Sequence, residues 1–286
     1  MRNRRRPIEI VLLSLVVAAA CGGTAPAPAS GPLNILVTND DGMEAPGILA
    51  LVEALRPLGT VTVAAPVENR TGASHGITSD RTIAVRESEK KGLRWFGIDA
   101  MPATCVRLAL ERLLPMKPDI VVSGINKGEN LGPVTFYSAT VGAAREAAFL
   151  GVPAIAVHLV ANNGMDYGTA AVVTADIVRA LGKSGIPPGL FLNVNVPALP
   201  RESLRGLRMT RPDTRAPLDF FEKSVSPDGV TEYKPSWKHL EPAGEETDIW
   251  AVRNGYVSVS VFGFDQSASI APRTLKRLGS LLAAHN

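Results

Sequence analysis

Asp40 and Asp41 are the residues of this chain best placed to do chemistry. They follow the apolar run Ile35-Leu36-Val37-Thr38 and precede Gly42. Adjacent carboxylates repel each other and lose hydration in a cleft, so a fold that keeps both needs a compensating cation. The expectation is a hard divalent metal held by Asp40 and Asp41 and used on phosphate. Asp-Asp-Gly after a strand also suits a simple turn or helix cap, so further donors must converge on the same place.

The elements that would bring them together alternate along the chain. Apolar runs at Leu33 to Thr38, Thr60 to Ala65, Asp119 to Ser123, Pro153 to Leu159 and Phe191 to Val196 read as buried strands, with Leu93 to Ile98 as a shorter one. Helical spacing of apolar residues falls at Pro46 to Leu55, Thr104 to Leu114, Thr140 to Leu150 and Tyr167 to Leu181. Ile77 to Val85 reads as extended, and Glu87 to Lys91 as a charged turn. Continuous apolar strands separated by helices predict an α/β, doubly wound, mainly parallel sheet covered on both faces. The tract from Arg201 to Thr247 has scattered prolines and little periodicity, which suits a functional loop or an arm exchanged between subunits. Gly255 to Phe262 alternates like a half-buried strand, and Arg273 to Ala284 reads as a terminal helix.

In such a sheet, ligands sit beyond the carboxyl ends of the strands. Asn39 to Gly42 stand there after the first strand. Asn69-Arg70-Thr71-Gly72-Ala73-Ser74-His75 follow the second, and Gly124 to Asn130 follow the third long strand. Tyr137-Ser138-Ala139-Thr140 open the alanine-rich helix, whose N-terminus favours an anion such as phosphate. No Gly-x-Gly-x-x-Gly follows the first strand, which argues against dinucleotide binding.

Composition narrows the partners. The formal net charge is +3, part of it from Arg2, Arg4, Arg5 and Arg6, so the rest of the chain is close to neutral. With only 5% aromatic residues as well, there is no case for a nucleic-acid polymer as partner. Residues 1–20 have the basic start and short apolar core of an export signal, too short for a comfortable membrane span. Ala18-Ala19-Ala20-Cys21-Gly22 resembles a bacterial lipobox, which would anchor the protein at a lipid-modified Cys21; ordinary cleavage after Ala20 is the alternative. Either way the protein is expected to be exported and periplasmic, membrane-anchored in the lipoprotein reading. Residues 21–32 then form a flexible tether, and 33–286 the α/β domain. Cys105, in a helical apolar stretch, reads as a buried structural thiol.

Several of these stretches together resemble the SurE family of survival-protein nucleotidases. They are Ile35 to Gly42, Pro66 with Asn69 to Ser74, Val121 to Gly132, and Tyr137 to Val141. Gly151 to Val157, Thr247-Asp248 and Gly255 to Val259 fit in the same order, so the resemblance runs from Leu33 into the 260s. It implies a Rossmann-like three-layer sandwich. It implies a divalent-metal-dependent phosphomonoesterase acting on nucleoside 5′- and 3′-monophosphates and, in some members, polyphosphate. One metal ion per subunit, Mg²⁺ or Mn²⁺, would be held by Asp40, Asp41, Thr71 and Asn126, with Asp40 also orienting or deprotonating a water. Phosphate and substrate contacts would fall to Asn39, Gly72, Ser138, Ala139 and Thr140. The stretch 201–247 would build a homodimer or homotetramer.

The chain departs from the family in its export signal, since members are typically read as intracellular, and at two motif positions. Thr71 replaces the usual Ser, keeping the hydroxyl but restricting its rotamer. Ala139 replaces the Gly of Ser-Gly-Thr, and its methyl would crowd a phosphate if the backbone there needed a positive φ. His75 reads either as a donor to the leaving oxygen or as a loop-stabilising residue. Three functional readings stand: a nucleotidase, a polyphosphate or other exported phosphatase of the same fold, and a non-catalytic nucleotide-binding lipoprotein.

Overall fold

A computed structural model describes residues 31–160, 166–182, 185–215, 221–235 and 241–264. The expected export segment, Cys21 and the helix expected at Arg273 to Ala284 lie outside the described residues.

The first half begins with β1 (Leu33–Thr38), α1 (Pro46–Leu55) and β2 (Gly59–Pro66), followed by β3 (Val85–Lys90), β4 (Leu93–Ile98) and α2 (Pro102–Leu108). After these come β5 (Ile120–Lys127), α3 (Ala139–Phe149), β6 (Ala154–Leu159), α4 (Tyr167–Leu181) and β7 (Leu190–Val196). The chain then adds β8 (Leu207–Thr210), β9 (Phe221–Val225), β10 (Thr231–Pro235), α5 (Asp248–Arg253) and β11 (Val257–Gly263). Nine strands form one sheet in the order β3-β4-β2-β1-β5-β6-β7-β11-β8. The run from β4 to β7 is parallel throughout, while β3 and β11 join it antiparallel. This is the expected α/β architecture.

Alternation in the strands sorts the core into two layers. Leu33, Ile35 and Val37 of β1 face one side, where Ile48, Leu51 and Leu55 of α1 pack with Val173, Ile177 and Val178 of α4. Leu36 faces the other side, with Cys105 and Val106 of α2 and the alanines of α3. Ala143, Ala144 and Ala147 are fully buried, and their small side chains let α3 lie close on the sheet. Cys105 is buried as expected, and burial pushes its thiol well above the ordinary range, away from the reactive thiolate.

Four segments differ from the sequence reading. Of the expected charged turn, residues 87–90 belong to β3 and only Lys91 lies in a turn, because β3 is an exposed edge strand with no buried face to impose alternation. The expected extended segment before it has no strand until Val85. The helix expected through Leu114 is α-helical only to Leu108 and continues as a π-helical turn at Ala109–Leu113. Within 201–247, β8 joins the main sheet beside β11, while β9 and β10 pair with each other as a hairpin whose residues are all exposed.

The order of formation of the sheet places the site. From β1 the chain steps outward to β2 and β4, then crosses back to lay β5 on the other side of β1. The crossover direction reverses between β1 and β5, which is the switch point where open α/β sheets hold ligands.

Candidate active site

Asp40 and Asp41 leave the end of β1 at this switch point. Register pairing sets Thr38 beside Ser123, so the residues just past β1 meet the irregular tail of β5. Asn39 closes the turn after the strand: its Nδ2 donates to the Gly42 carbonyl at 2.8 Å. Gly42 has φ of 102°, a left-handed conformation that favours glycine.

The two carboxylates have different surroundings. Asp40 is 2% exposed, and Thr140 Oγ1 donates to its Oδ1 at 2.5 Å. Burial pushes its carboxyl up to about 6, and the Thr140 hydrogen bond opposes that shift while the Asp41 charge adds to it. The Thr140 backbone N–H also favours the ionised form, so the start of α3 is aimed at this carboxylate. Asp41 is half-buried, and its Oδ2 accepts the Lys127 N–H at 3.1 Å. Burial raises it too, against that backbone hydrogen bond and the Lys127 charge. No Lys, Arg or His among the described residues forms an ion pair with either aspartate.

Asn126 lies on the other side of the switch point. Its Nδ2 donates to Gly128 O at 2.7 Å, which leaves Oδ1 as its acceptor. The loop after β2 folds over Asp40: Arg70 N–H donates to the Asp40 carbonyl at 2.7 Å. Thr71, next in sequence, is exposed, and its N–H donates to Asn69 Oδ1 at 2.8 Å. Gly72 follows it in an open position with φ of 77°. Ser138 caps α3, its Oγ accepting the Val141 N–H at 3.2 Å. Ala139 is buried in the first turn of α3 and has no positive φ, so the methyl group is accommodated without backbone strain.

His75 lies on the same loop but turns away from the carboxylates. Its Nε2 sits 2.8 Å from Glu146 Oε2, two turns along α3 from Ser138. Burial disfavours the Glu146 charge, but His75 and Arg107 outweigh it and hold the carboxyl below its ordinary value. The loop rests on α3 at Gly142, where a Cβ would stand 2.3 Å from Ser74 O. His75 is thus a clasp for the loop bearing Thr71, which favours the loop-stabilising reading.

Sequence reasoning gave no role to Lys127 or Tyr167. The Lys127 N–H reaches Asp41 only because β5 continues past a bulge at Ser123/Asn126. Tyr167, first residue of α4, lies close enough to Asp41 that its phenol is pushed up by burial and then by that charge. A Tyr at a helix start carries no signal of this, since the proximity is made by the packing of α4 on α1.

The donor chemistry fits a hard divalent cation. Two carboxylates raised from their ordinary pKa by burial, neither in an ion pair among the described residues, lie beside the bulge that carries an amide oxygen. Thr38 Oγ1, Asn39 Oδ1 and Ser123 Oγ are buried beside them with no hydrogen-bond partner. Among the described residues no three His, Cys, Asp or Glu side chains cluster as a metal site, so neutral oxygens must complete the shell. That set suits Mg²⁺ or Mn²⁺ better than zinc.

Comparison with known proteins places the chain in a family. The family described as Survival protein SurE matches residues 35–217. The chain is 41% identical over 236 residues to the 5′-nucleotidase SurE of Legionella pneumophila (strain Lens), covering 82% of this chain and 92% of that protein. It is 44% identical over 239 residues to the 5′-nucleotidase SurE of Geobacter sulfurreducens, covering 82% and 88% respectively. The crystal structure of SurE protein from Aquifex aeolicus superposes with a TM-score of 0.76 at 38% identity, covering 86% of this chain and 99% of that one. The chain belongs to the SurE family.

Proposed function

We propose that the protein is a divalent-metal-dependent phosphomonoesterase that hydrolyses nucleoside 5′-monophosphates, and 3′-monophosphates, to nucleoside and phosphate. The observation that carries this reading is the pair Asp40 and Asp41 at the switch point: Asp40 is buried and meets the start of α3, Asp41 is half-buried, and neither forms an ion pair among the described residues. The 5′-nucleotidase names of the Legionella and Geobacter relatives support the substrate class.

Asp40, Asp41, the Asn126 Oδ1 and the Thr71 hydroxyl would hold one Mg²⁺ or Mn²⁺ per subunit. What such an ion supplies when bound is Lewis acidity toward the phosphoryl group and an acidified water. The chain's own groups do the positioning. Asp40 has Oδ1 engaged by Thr140, which leaves Oδ2 to orient the attacking water and accept its proton. The Thr140 hydroxyl proton is spent on Asp40, so Thr140 serves the substrate through the carboxylate it orients. Ser138 Oγ accepts from Val141 N–H and keeps its own proton to donate to a phosphoryl oxygen. Gly72 stands in open space where a phosphate can approach the backbone, and Asn39 shapes the turn after β1.

The same proposal covers place and assembly. The export signal and Cys21 put the enzyme outside the cytoplasm, tethered to a membrane by a lipid; mass spectrometry of the mature N-terminus tests this. The exposed β9–β10 hairpin would bind a second copy of the chain.

The deciding experiment is phosphate release from a panel of 5′- and 3′-mononucleotides and polyphosphate. It is run after chelation and with Mg²⁺, Mn²⁺ or Zn²⁺ restored. Metal-dependent release from mononucleotides supports the reading. Preferential release from polyphosphate redirects it to the other phosphatase, and no release from any substrate favours a nucleotide-binding lipoprotein.

A further inference from the structure

Behind the carboxyl ends of β5, β6 and β7 lies a ring of polar side chains that the proposed chemistry does not touch. Asn130 is its hub. The Asn130 N–H donates to Asn195 Oδ1 at 2.8 Å. Its carbonyl accepts Asn193 Nδ2 at 3.0 Å and Asn195 Nδ2 at 3.1 Å. Its side-chain Nδ2 lies 2.8 Å from His158 Nδ1, and His158 Nε2 lies 2.8 Å from Asn193 Oδ1. All four residues are buried.

Donor and acceptor counting fixes the imidazole. An amide NH₂ only donates, so Nδ1 carries the lone pair that meets Asn130. Asn193 has spent its NH₂ on the Asn130 carbonyl, so its Oδ1 accepts and Nε2 carries the proton. His158 is neutral with one defined tautomer, and burial, which pulls its pKa down to about 4, keeps it so.

What the ring grips is the far end of the turn that carries Asn126. Past its bulge β5 rejoins β6, with Asn126 opposite His158 and Lys127 opposite Leu159. Gly128 N–H donates to Leu159 O at 2.9 Å, and Asn126 Nδ2 points to Gly128 O. Lys127 N–H, on the same turn, holds Asp41. At the other end Gly132 N–H is fixed by Asp248 Oδ2 at 2.7 Å. The end of β5 therefore presents both the Asn126 amide oxygen and the N–H that meets Asp41, and the turn that follows directly is anchored at Asn130.

We propose that His158 is a positioning residue: through Asn130 it locks the turn after β5, and so sets Asn126 Oδ1 and Lys127 N–H for divalent-cation binding at Asp40 and Asp41. The inference rests on the metal-site reading above and assigns a task to a residue that touches neither metal nor substrate. Buried partners that orient a ligand from behind commonly change metal affinity by roughly 10–100-fold when removed.

The test is Mn²⁺ binding to the purified full chain, read from the electron paramagnetic resonance signal of free Mn²⁺, with a thermal melt of each variant. His158→Leu puts an apolar side chain of comparable bulk in its place and removes both polar contacts. His158→Gln restores one acceptor and one donor across a similar span, and His158→Asn is a methylene too short to meet both partners. The expected result is Mn²⁺ affinity about ten-fold weaker in His158→Leu and largely restored in His158→Gln. A cooperatively melting His158→Leu protein that binds Mn²⁺ like the parent overturns the proposal. If His158→Leu does not fold, equal affinities for the Gln and Asn variants overturn it. A parent protein that binds no Mn²⁺ overturns the metal reading beneath it, which separates the two failures.

Discussion

Thr140 Oγ1 donates to Asp40 Oδ1 at 2.5 Å, joining the end of β1 to the first turn of α3 across 100 residues of sequence. This contact is the largest influence holding the buried Asp40 carboxyl toward its ionised form. Hydrogen bonds to charged groups contribute about 1.5–3 kcal/mol. Thr140→Val removes the hydroxyl at nearly constant shape. The expected outcome is a roughly 10–100-fold fall in kcat/KM near neutral pH, with the acid limb of the pH–rate profile moved to higher pH. Thr140→Ser restores both. A Val variant with the parent's profile would show that the contact is incidental.

The same burial makes Asp40 a cost to the metal-free fold. Its folded pKa is raised from 3.8 to about 6. A raised pKa favours folding below the unfolded value and loses that contribution as pH climbs through the folded value. Metal-free parent protein therefore loses stability between about pH 4 and pH 6 relative to Asp40→Asn, whose amide does not titrate. Above that window the variant should be more stable than the parent, by on the order of 3 kcal/mol at most. Chemical denaturation of both proteins with chelator present, at pH 4 and pH 7.5, checks this. Asp40→Asn should also lose nucleotidase activity by orders of magnitude while staying folded; near-normal turnover would remove Asp40 from the mechanism.

Parts of this site can be read in the sequence because their signals are local. Ile35 to Thr38 is an uninterrupted apolar run with β-branched residues, so β1 and the position of Asp40 at its end follow directly. The boundaries of α1 and α4 follow from Pro46 at the helix start and from apolar spacing through Leu181. Other parts depend on topology. Lys127 meets Asp41 only because β1 and β5 become neighbours at the switch point. His158 sits in an apolar run like any core residue, and its meaning appears only when β7 brings Asn193 and Asn195 alongside. β3 escaped because an exposed charged edge strand looks like a turn. The family likeness proposes a ligand set, but the clasp of His75 on Glu146 required the packing of a loop on a helix 71 residues away.

That packing supplies a prediction. Gly142 lies under the loop that bears Thr71 and Gly72, and a Cβ there would come within 2.3 Å of Ser74 O and 3.0 Å of His75 Cα. The obstacle is backbone, so the loop must lift. Ser74 has φ of 54° and ties the loop to Tyr137 O through its N–H at 3.1 Å, so it has little freedom to adjust. Gly142→Ala should destabilise the fold by about 1–3 kcal/mol. Mn²⁺ affinity should fall with it, because the loop carries one proposed ligand. Ala147→Gly, on the same helix but away from the loop, is the control: it should lower the melting temperature and leave Mn²⁺ binding unchanged.

His158 gives an acid signature of opposite sign to that of Asp40. Burial lowers its pKa from 6.5 to about 4. Between those values the unfolded chain binds a proton that the folded chain refuses, so the His158 contribution to stability falls as pH drops from about 6.5 and reaches its floor near 4. His158→Gln carries no such proton. Relative to the parent, it should gain stability on acidification through that window, by on the order of 3 kcal/mol at most. The difference between the denaturation midpoints of parent and variant, measured from pH 7.5 to pH 4 with chelator present, should shift in favour of the variant as pH falls. Parallel curves would mean that His158 titrates alike in both states, and that the polar ring around Asn130 opens without cost.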